Sequence, residues 1–186
     1  MDVFDAIHGR FSADTVSSEP IPKPQIERLL AAAVQAPNHY RVRPWRFFVL
    51  TGAGRNRLGS IMAKSFLRRN PEVPPEGLEK IRSLPLRAPV VIAVAVDPPA
   101  EPKVIATENI CAAAAACQNL LLAAHAEGLR AKWRTGEWAR DSLVKEFFSL
   151  SPEHTIISFL YLGRAVDPDA LPPMRPSYED RTVWIE

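Results

Sequence analysis

Between Glu108 and Gly128 the chain is apolar on every side. Five consecutive alanines, Ala112 to Ala116, and the run Leu120 to Ala124 favour helix and leave no polar face wide enough to meet water. Thr107 stands where an N-cap is wanted, and Glu108 suits the positive end of a helix dipole. Such a helix spans about 30 Å, so it must run through the centre of the molecule or along a subunit interface. Gln118 and Asn119 at mid-length, His125 near the end and charges at both ends argue against a membrane span.

Shorter patterns surround it. Asp2 can cap a short helix in which Val3, Phe4 and Ile7 share a face and which stops at Gly9. Ile21-Pro22-Lys23-Pro24 leads into a second amphipathic helix carrying Ile26, Leu29, Leu30, Ala33 and Val34, ended by Pro37. Trp45 to Leu50 reads as a strand, and Thr51-Gly52-Ala53-Gly54 turns the chain into a helix over about Arg57 to Arg69. That turn is no nucleotide fingerprint: the third glycine of a dinucleotide motif falls on Arg57, and Gly59-Ser60 stands where a P-loop needs Gly-Lys-Ser/Thr. Glu79, Lys80 and Ile81 belong to a short helix. Pro89 to Val96 is continuously apolar and reads as a strand buried on both faces. Ala131 to Gly136 is a short strand or loop, Arg140 to Phe148 a helix, and Thr155 to Tyr161 the last strong strand, ending near Gly163. From Asp167 to Glu186 an extended polar arm carries Trp184 and Ile185 at its end, groups that call for docking on this subunit or a neighbour.

Composition narrows the function. At 186 residues, 47% hydrophobic and 24% charged, the chain suits one globular domain over residues 1–186. A net charge of +2 and the absence of a basic, aromatic-interleaved face argue against a nucleic-acid partner. Cys111 and Cys117 sit six residues apart in the long helix, on different faces, and read as buried small hydrophobes rather than a disulfide. No secretory signal pattern opens the chain, so the simplest location is cytoplasmic and no membrane is implied. Eighteen prolines punctuate the elements.

Gly-x-Ser-x-Gly is missing and the histidines lack metal-ligand spacing, so neither a serine hydrolase nor a metal site is implied. What remains at element ends is a set of cations and hydroxyls, Arg10 and Ser12, His39, Arg134 and Thr135, and Arg175, suited to an anionic ligand such as a phosphate. Five segments in order then carry a resemblance: Gly9-Arg10-Phe11-Ser12; Ala36-Pro37-Asn38-His39 with Arg43-Pro44-Trp45-Arg46-Phe47-Phe48-Val49; the alanine-rich helix; Trp133-Arg134-Thr135-Gly136; and Phe159-Leu160-Tyr161-Leu162-Gly163. Over nearly its whole length the chain resembles the nitroreductase family of flavoproteins, most closely its short, single-domain bacterial members.

The resemblance implies an α+β fold with a mixed central sheet flanked by helices, a long central helix at a dimer interface and an extended C-terminal arm. It implies a homodimer holding FMN at the subunit interface, with Arg10, the Phe11 backbone and Ser12 at the phosphate and ribityl end. Gln35 and His39 would approach from the partner subunit, Trp133, Arg134 and Thr135 would line the isoalloxazine, and Arg175 would close the phosphate site from the arm. The implied activity is two-step transfer from NAD(P)H through FMN to nitroaromatics or quinones, with no side chain as acid or base. The chain departs from the family at Phe11 and Asp14, where arginines are usual, and at Arg43, where a glutamine is usual. These departures motivate the alternative of a flavin-binding, sensing or flavin-consuming module that does not turn over NAD(P)H.

Overall fold

The computed structural model describes residues 1–186. Helix α1, Val3–Gly9, opens on a reciprocal cap in which the Asp5 N–H donates to Asp2 Oδ1 at 2.9 Å and the Asp2 N–H to Asp5 Oδ2 at 3.2 Å. The remaining helices are α2, Lys23–Ala33; α3, Gly52–Arg69; α4, Pro75–Arg82; α5, Ala106–Ala126; and α6, Ser142–Phe147. Strands β1, Trp45–Leu50; β2, Val90–Val96; β3, Leu129–Arg134; and β4, Thr155–Arg164, form one sheet in the order β1-β2-β4-β3. All its strand pairs are antiparallel. The one parallel element is an isolated bridge from Ser12 to Ala131 on the outer edge of β3.

Strand alternation splits the core into two layers. Val90, Ile92, Val94, Leu160 and Leu162 meet α2 and α5 on one face. Val91, Ala93, Ala95, Phe159 and Tyr161 meet α3 and α6 on the other. Every residue of β2 is buried, as its unbroken apolar run requires of a strand covered on both sides.

Several expectations shift at the ends of elements. Helix α5 begins at Ala106, so Thr107 lies inside the first turn, and the N-cap Ile105 offers no side-chain bond. Helix α3 begins at Gly52, whose φ of 45° makes the turn and the helix start the same residue. The segment read as strand or loop around Trp133 is β3, paired along its whole length with β4. Nor is α5 covered all round by its own chain. Thr107, Ile110, Cys111 and Gln118 are exposed and Ala114, Ala115 and Leu122 half-buried, a stripe recurring every three or four residues.

Cys111 therefore departs from the buried reading. Cys117 keeps it, beside Ser158 Oγ at 3.4 Å, and burial pushes its thiol up to about 11. The end of the C-terminal arm does not dock on its own subunit: Trp184 is 78% and Ile185 93% exposed. Phe4, at 67%, is exposed on α1 in the same way.

Candidate functional site

A cluster of cations with no carboxylate paired to them sits where α5 ends, its C-cap Glu127 being held by Arg28. The tight contact of Gly9 with the His125 ring brings the end of α1 onto the end of α5, where a Cβ on Gly9 would lie 2.7 Å from His125 Nε2. Arg10 follows directly. Partial burial and the nearby Arg175 of the C-terminal arm both lower the pKa of its guanidinium, burial more strongly. Arg130 of β3 donates from Nη1 to His125 Nδ1 at 3.2 Å and from Nη2 to the Pro168 carbonyl at 3.4 Å, and its guanidinium lies 5.0 Å over the Phe11 ring. Its Nε is buried with no acceptor. No carboxylate lies within ion-pair distance of Arg10, Arg130 or Arg175. In the same place, burial followed by Arg130 and Arg10 lowers the pKa of His125. Cations gathered without a counter-ion are a donor set for a phosphate.

From there the chain touches the free edge of β3 at one point and crosses to the end of β4. Ser12 bridges to Ala131, and the Ser17 N–H donates to the Arg164 carbonyl at 3.0 Å. Gly163 permits that crossing, since a Cβ there would lie 2.6 Å from Val16 Cβ and 2.9 Å from the Ser17 carbonyl oxygen. Four residues of strand separate Ala131 from Thr135, about 13 Å at the rise of a β-strand. At that far end lies a cavity of about 390 Å³ lined in part by Arg87, Lys132, Trp133, Arg134, Thr135 and Tyr161. Alternation sends the Trp133 indole toward α5 and the Arg134 guanidinium the other way, 5.8 Å over the Tyr161 ring. Both border the cavity because it wraps the strand's edge. Burial raises the Tyr161 hydroxyl above its usual range, against the opposing pull of Arg134 and Arg87. The Trp133 indole N–H is fixed by Thr135 Oγ1 at 3.1 Å and the Ile157 carbonyl at 3.2 Å.

Gln35 and His39 lie elsewhere. Gln35 is exposed after α2, with its side-chain amide on the Ala31 carbonyl at 3.4 Å. His39 Nδ1 is 2.6 Å from Glu108 Oε2, at the start of α5. Glu108 and His125 are 17 residues apart on this helix, about 25 Å, so His39 and Arg10 cannot touch one small ligand within a single subunit. The His39 loop is also strained: Tyr40, Arg41 and Arg43 have φ of 51°, 57° and 50°, and the Arg43 N–H donates to Asn38 Oδ1 at 2.9 Å.

A sequence model described as the Nitroreductase family matches residues 7–164. The chain belongs to the nitroreductase family. It is 32% identical over 164 residues, 88% of either chain, to YdjA of Escherichia coli (strain K12), a protein named provisionally as an NAD(P)H nitroreductase. Its fold is that of a nitroreductase-like family protein from Bacillus cereus, with a TM-score of 0.84, 26% identity and coverage of 100% of this chain and 97% of that one. It also matches the FMN-dependent nitroreductase NfnB of Mycobacterium smegmatis, solved with NADPH, at a TM-score of 0.77, with 98% and 97% coverage. At 16% identity that likeness is one of fold.

Within this nitroreductase-family chain, Arg10, Phe11, Ser12 and Arg175 fall at one end of the β3 edge and Trp133, Arg134 and Thr135 at the other, while Gln35 and His39 stay apart from both. Arg87, Arg130, Lys132 and Tyr161 join the site without having been singled out in the sequence. A signal for two of them was present: Arg130, Lys132 and Arg134 recur with period two in Leu129–Arg134, the signature of a strand with one cationic face.

Proposed function

We propose that this nitroreductase-family chain is an FMN-dependent oxidoreductase, acting as a homodimer that moves electrons from NAD(P)H to electron-poor acceptors such as nitroaromatics or quinones. The observation that carries the reading is the cluster of Arg10, Arg130 and Arg175, with no carboxylate paired to them, joined by the edge of β3 to a cavity walled by Trp133 and Tyr161. Cations for a phosphate, the edge of β3 beyond Ser12 for a polar chain and a slot walled by Trp133 and Tyr161 for flat rings are the donor set FMN requires. FMN held by these residues would supply two-electron hydride chemistry between NAD(P)H and the acceptor.

The protein's own part is binding and position. Arg10, Ser12, the Phe11 backbone and Arg175 hold the phosphate. Trp133, Arg134 and Thr135 line the ring, with Arg134 supplying positive charge beside it. Gln35 and His39 act on the neighbouring subunit's cofactor. The exposed stripe of α5 supports this assignment, because two α5 helices related by a twofold axis across their midpoints run antiparallel. That symmetry brings the His39 end of one helix to the Arg10 end of the other. Exposed apolar groups on α1 and the C-terminal arm gain a covering surface in the same arrangement.

Asp14 favours a second reading. It pairs with Lys132 and so neutralises a cation of the ring cavity, which fits a flavin-holding module without NAD(P)H turnover. The visible spectrum of the purified protein, before and after incubation with FMN, tests the primary reading; protein that shows no flavin peaks in either state refutes it. Steady-state NAD(P)H oxidation with a quinone separates the two readings. Bound FMN that NAD(P)H leaves oxidised would select the module.

A further inference from the structure

A second cavity adjoins the first and has a different character. It holds about 570 Å³ between α5, α6 and the start of β4. Ile156 and Ile157 give it apolar walls, the Trp133 indole, locked by its two acceptors, gives it a flat one, and Ile110 and Ala114 of the α5 stripe close it on the side of the proposed subunit contact. Arg140 and Lys145 are its only charged lining residues. Lys145 is committed, donating to the Pro152 carbonyl at 2.7 Å and facing Glu153.

Arg140 is not. Its guanidinium makes no side-chain hydrogen bond and no ion pair, although two carboxylates stand within three residues of it. Both are turned away: Glu137 pairs with Arg69 of α3, and Asp141 accepts from Ser65 Oγ, from the Val144 N–H at 3.1 Å and from Arg69 at 3.5 Å. The local acids are thus spent on fixing α6 to α3, and the exposed Arg140 guanidinium is left without a counter-ion at the mouth of a largely apolar cavity. A planar apolar wall with one unneutralised fork of donors fits an aromatic carboxylate: the ring lies on indole and isoleucine, and the carboxylate takes two parallel N–H bonds.

We propose that this cavity binds aromatic carboxylates, with Arg140 as the residue that selects the acid over its neutral analogue. Trp133 and Thr135 border both cavities, so a ligand anchored on Arg140 reaches the wall of the proposed flavin site. The assignment of that ligand as an electron acceptor rests on the flavin reading above, whereas its binding does not.

Isothermal titration of the dimer with 4-nitrobenzoate and with 4-nitrobenzamide, in protein with and without added FMN, tests the site. Wild type should prefer the acid, and Arg140→Ala should weaken acid binding about tenfold or more while changing amide binding by less than about twofold. Arg140→Lys should recover part of the loss, and an unchanged thermal melt shows that both variants are folded. If FMN is taken up, kcat/KM for reduction of the two compounds should show the same split. Equal losses for acid and amide, or no loss for the acid, overturn the proposal. Protein that binds no flavin yet keeps the Arg140-dependent preference for the acid refutes the redox reading and leaves the site standing.

Discussion

Arg10→Ala should separate two effects that usually move together. In the free protein Arg10 is partly buried, close to Arg175, and has no carboxylate in reach, so its charge is held at a cost. Truncation removes that cost along with some packing at the junction of α1 and α5, and the two changes oppose each other. Thermal stability of the cofactor-free protein should therefore stay within about 1 kcal/mol of wild type. Binding should respond differently. Loss of a hydrogen bond to a charged group costs roughly 1.5–3 kcal/mol, a factor of about ten to a hundred in Kd. Arg130 and Arg175 remain to meet the phosphate, which puts the expectation at the lower end, about tenfold. Flavin fluorescence titration against the apo-protein measures Kd, differential scanning fluorimetry measures stability, and both should be run at low and moderate salt. Wild-type affinity should fall more steeply with salt than that of the variant, because one cation fewer faces the anion. An FMN Kd within twofold of wild type refutes the placement of the phosphate, and so does a fall in apo stability large enough to account for the lost binding.

Two further perturbations probe the same end of the molecule and its neighbour. Ala115→Leu adds three carbons at a half-buried position of the α5 stripe; a twofold interface meets each added side chain twice, at about 1–3 kcal/mol per overpacked contact. Sedimentation velocity should show monomer with reduced flavin content, and a variant that stays dimeric with full flavin places the interface elsewhere. His125→Gln tests linkage. Burial and the adjacent arginines lower the His125 pKa below its ordinary 6.5, so in that range the unfolded chain binds more protons than the folded one. The stability present above about pH 6.5 is therefore lost progressively as pH falls through and below that value. Between about pH 7.5 and about pH 5.5 wild type should lose more stability than the variant, and parallel melting curves for the two would contradict this account.

Much of this architecture was legible in residue order, for reasons particular to each element. The apolar run of β2 had only one stable home, a central strand covered on both faces, and all seven of its residues are buried. Asp2 announced α1 because its side chain can satisfy a free backbone donor, and the structure adds the reciprocal bond from Asp5. β3 was harder. Leu129–Arg134 alternates apolar with cationic side chains, and the arginines that mark its outer face read as solvated loop residues until β4 is known to lie beside it. What no local pattern could supply was convergence across distance: Arg87, in the turn before β2, and Tyr161, in β4, meet because β2 and β4 pair with Val91 opposite Tyr161. The freedom of Arg140 was invisible for a related reason, since it depends on Glu137 and Asp141 being drawn off by Arg69, some seventy positions earlier in the chain.

The length of α5 ties assembly to cofactor binding. One helix has Arg10 acting on its last turn and His39 bound at its first, so in the proposed arrangement each flavin site draws on two subunits. The proposed antiparallel pairing makes two complete sites at once. Each residue added to or removed from the helix would slide both half-sites by about 1.5 Å and rotate them by about 100° relative to each other. Flavin that bridges two subunits binds the dimer and not the separated chains, and so must stabilise the dimer by mass action. Dimer dissociation should accordingly weaken as FMN is raised, and the concentration at which it does so should be the same as that which saturates the flavin spectrum. A dissociation constant indifferent to FMN would refute the bridging arrangement, in which the two ends of α5 serve two different sites.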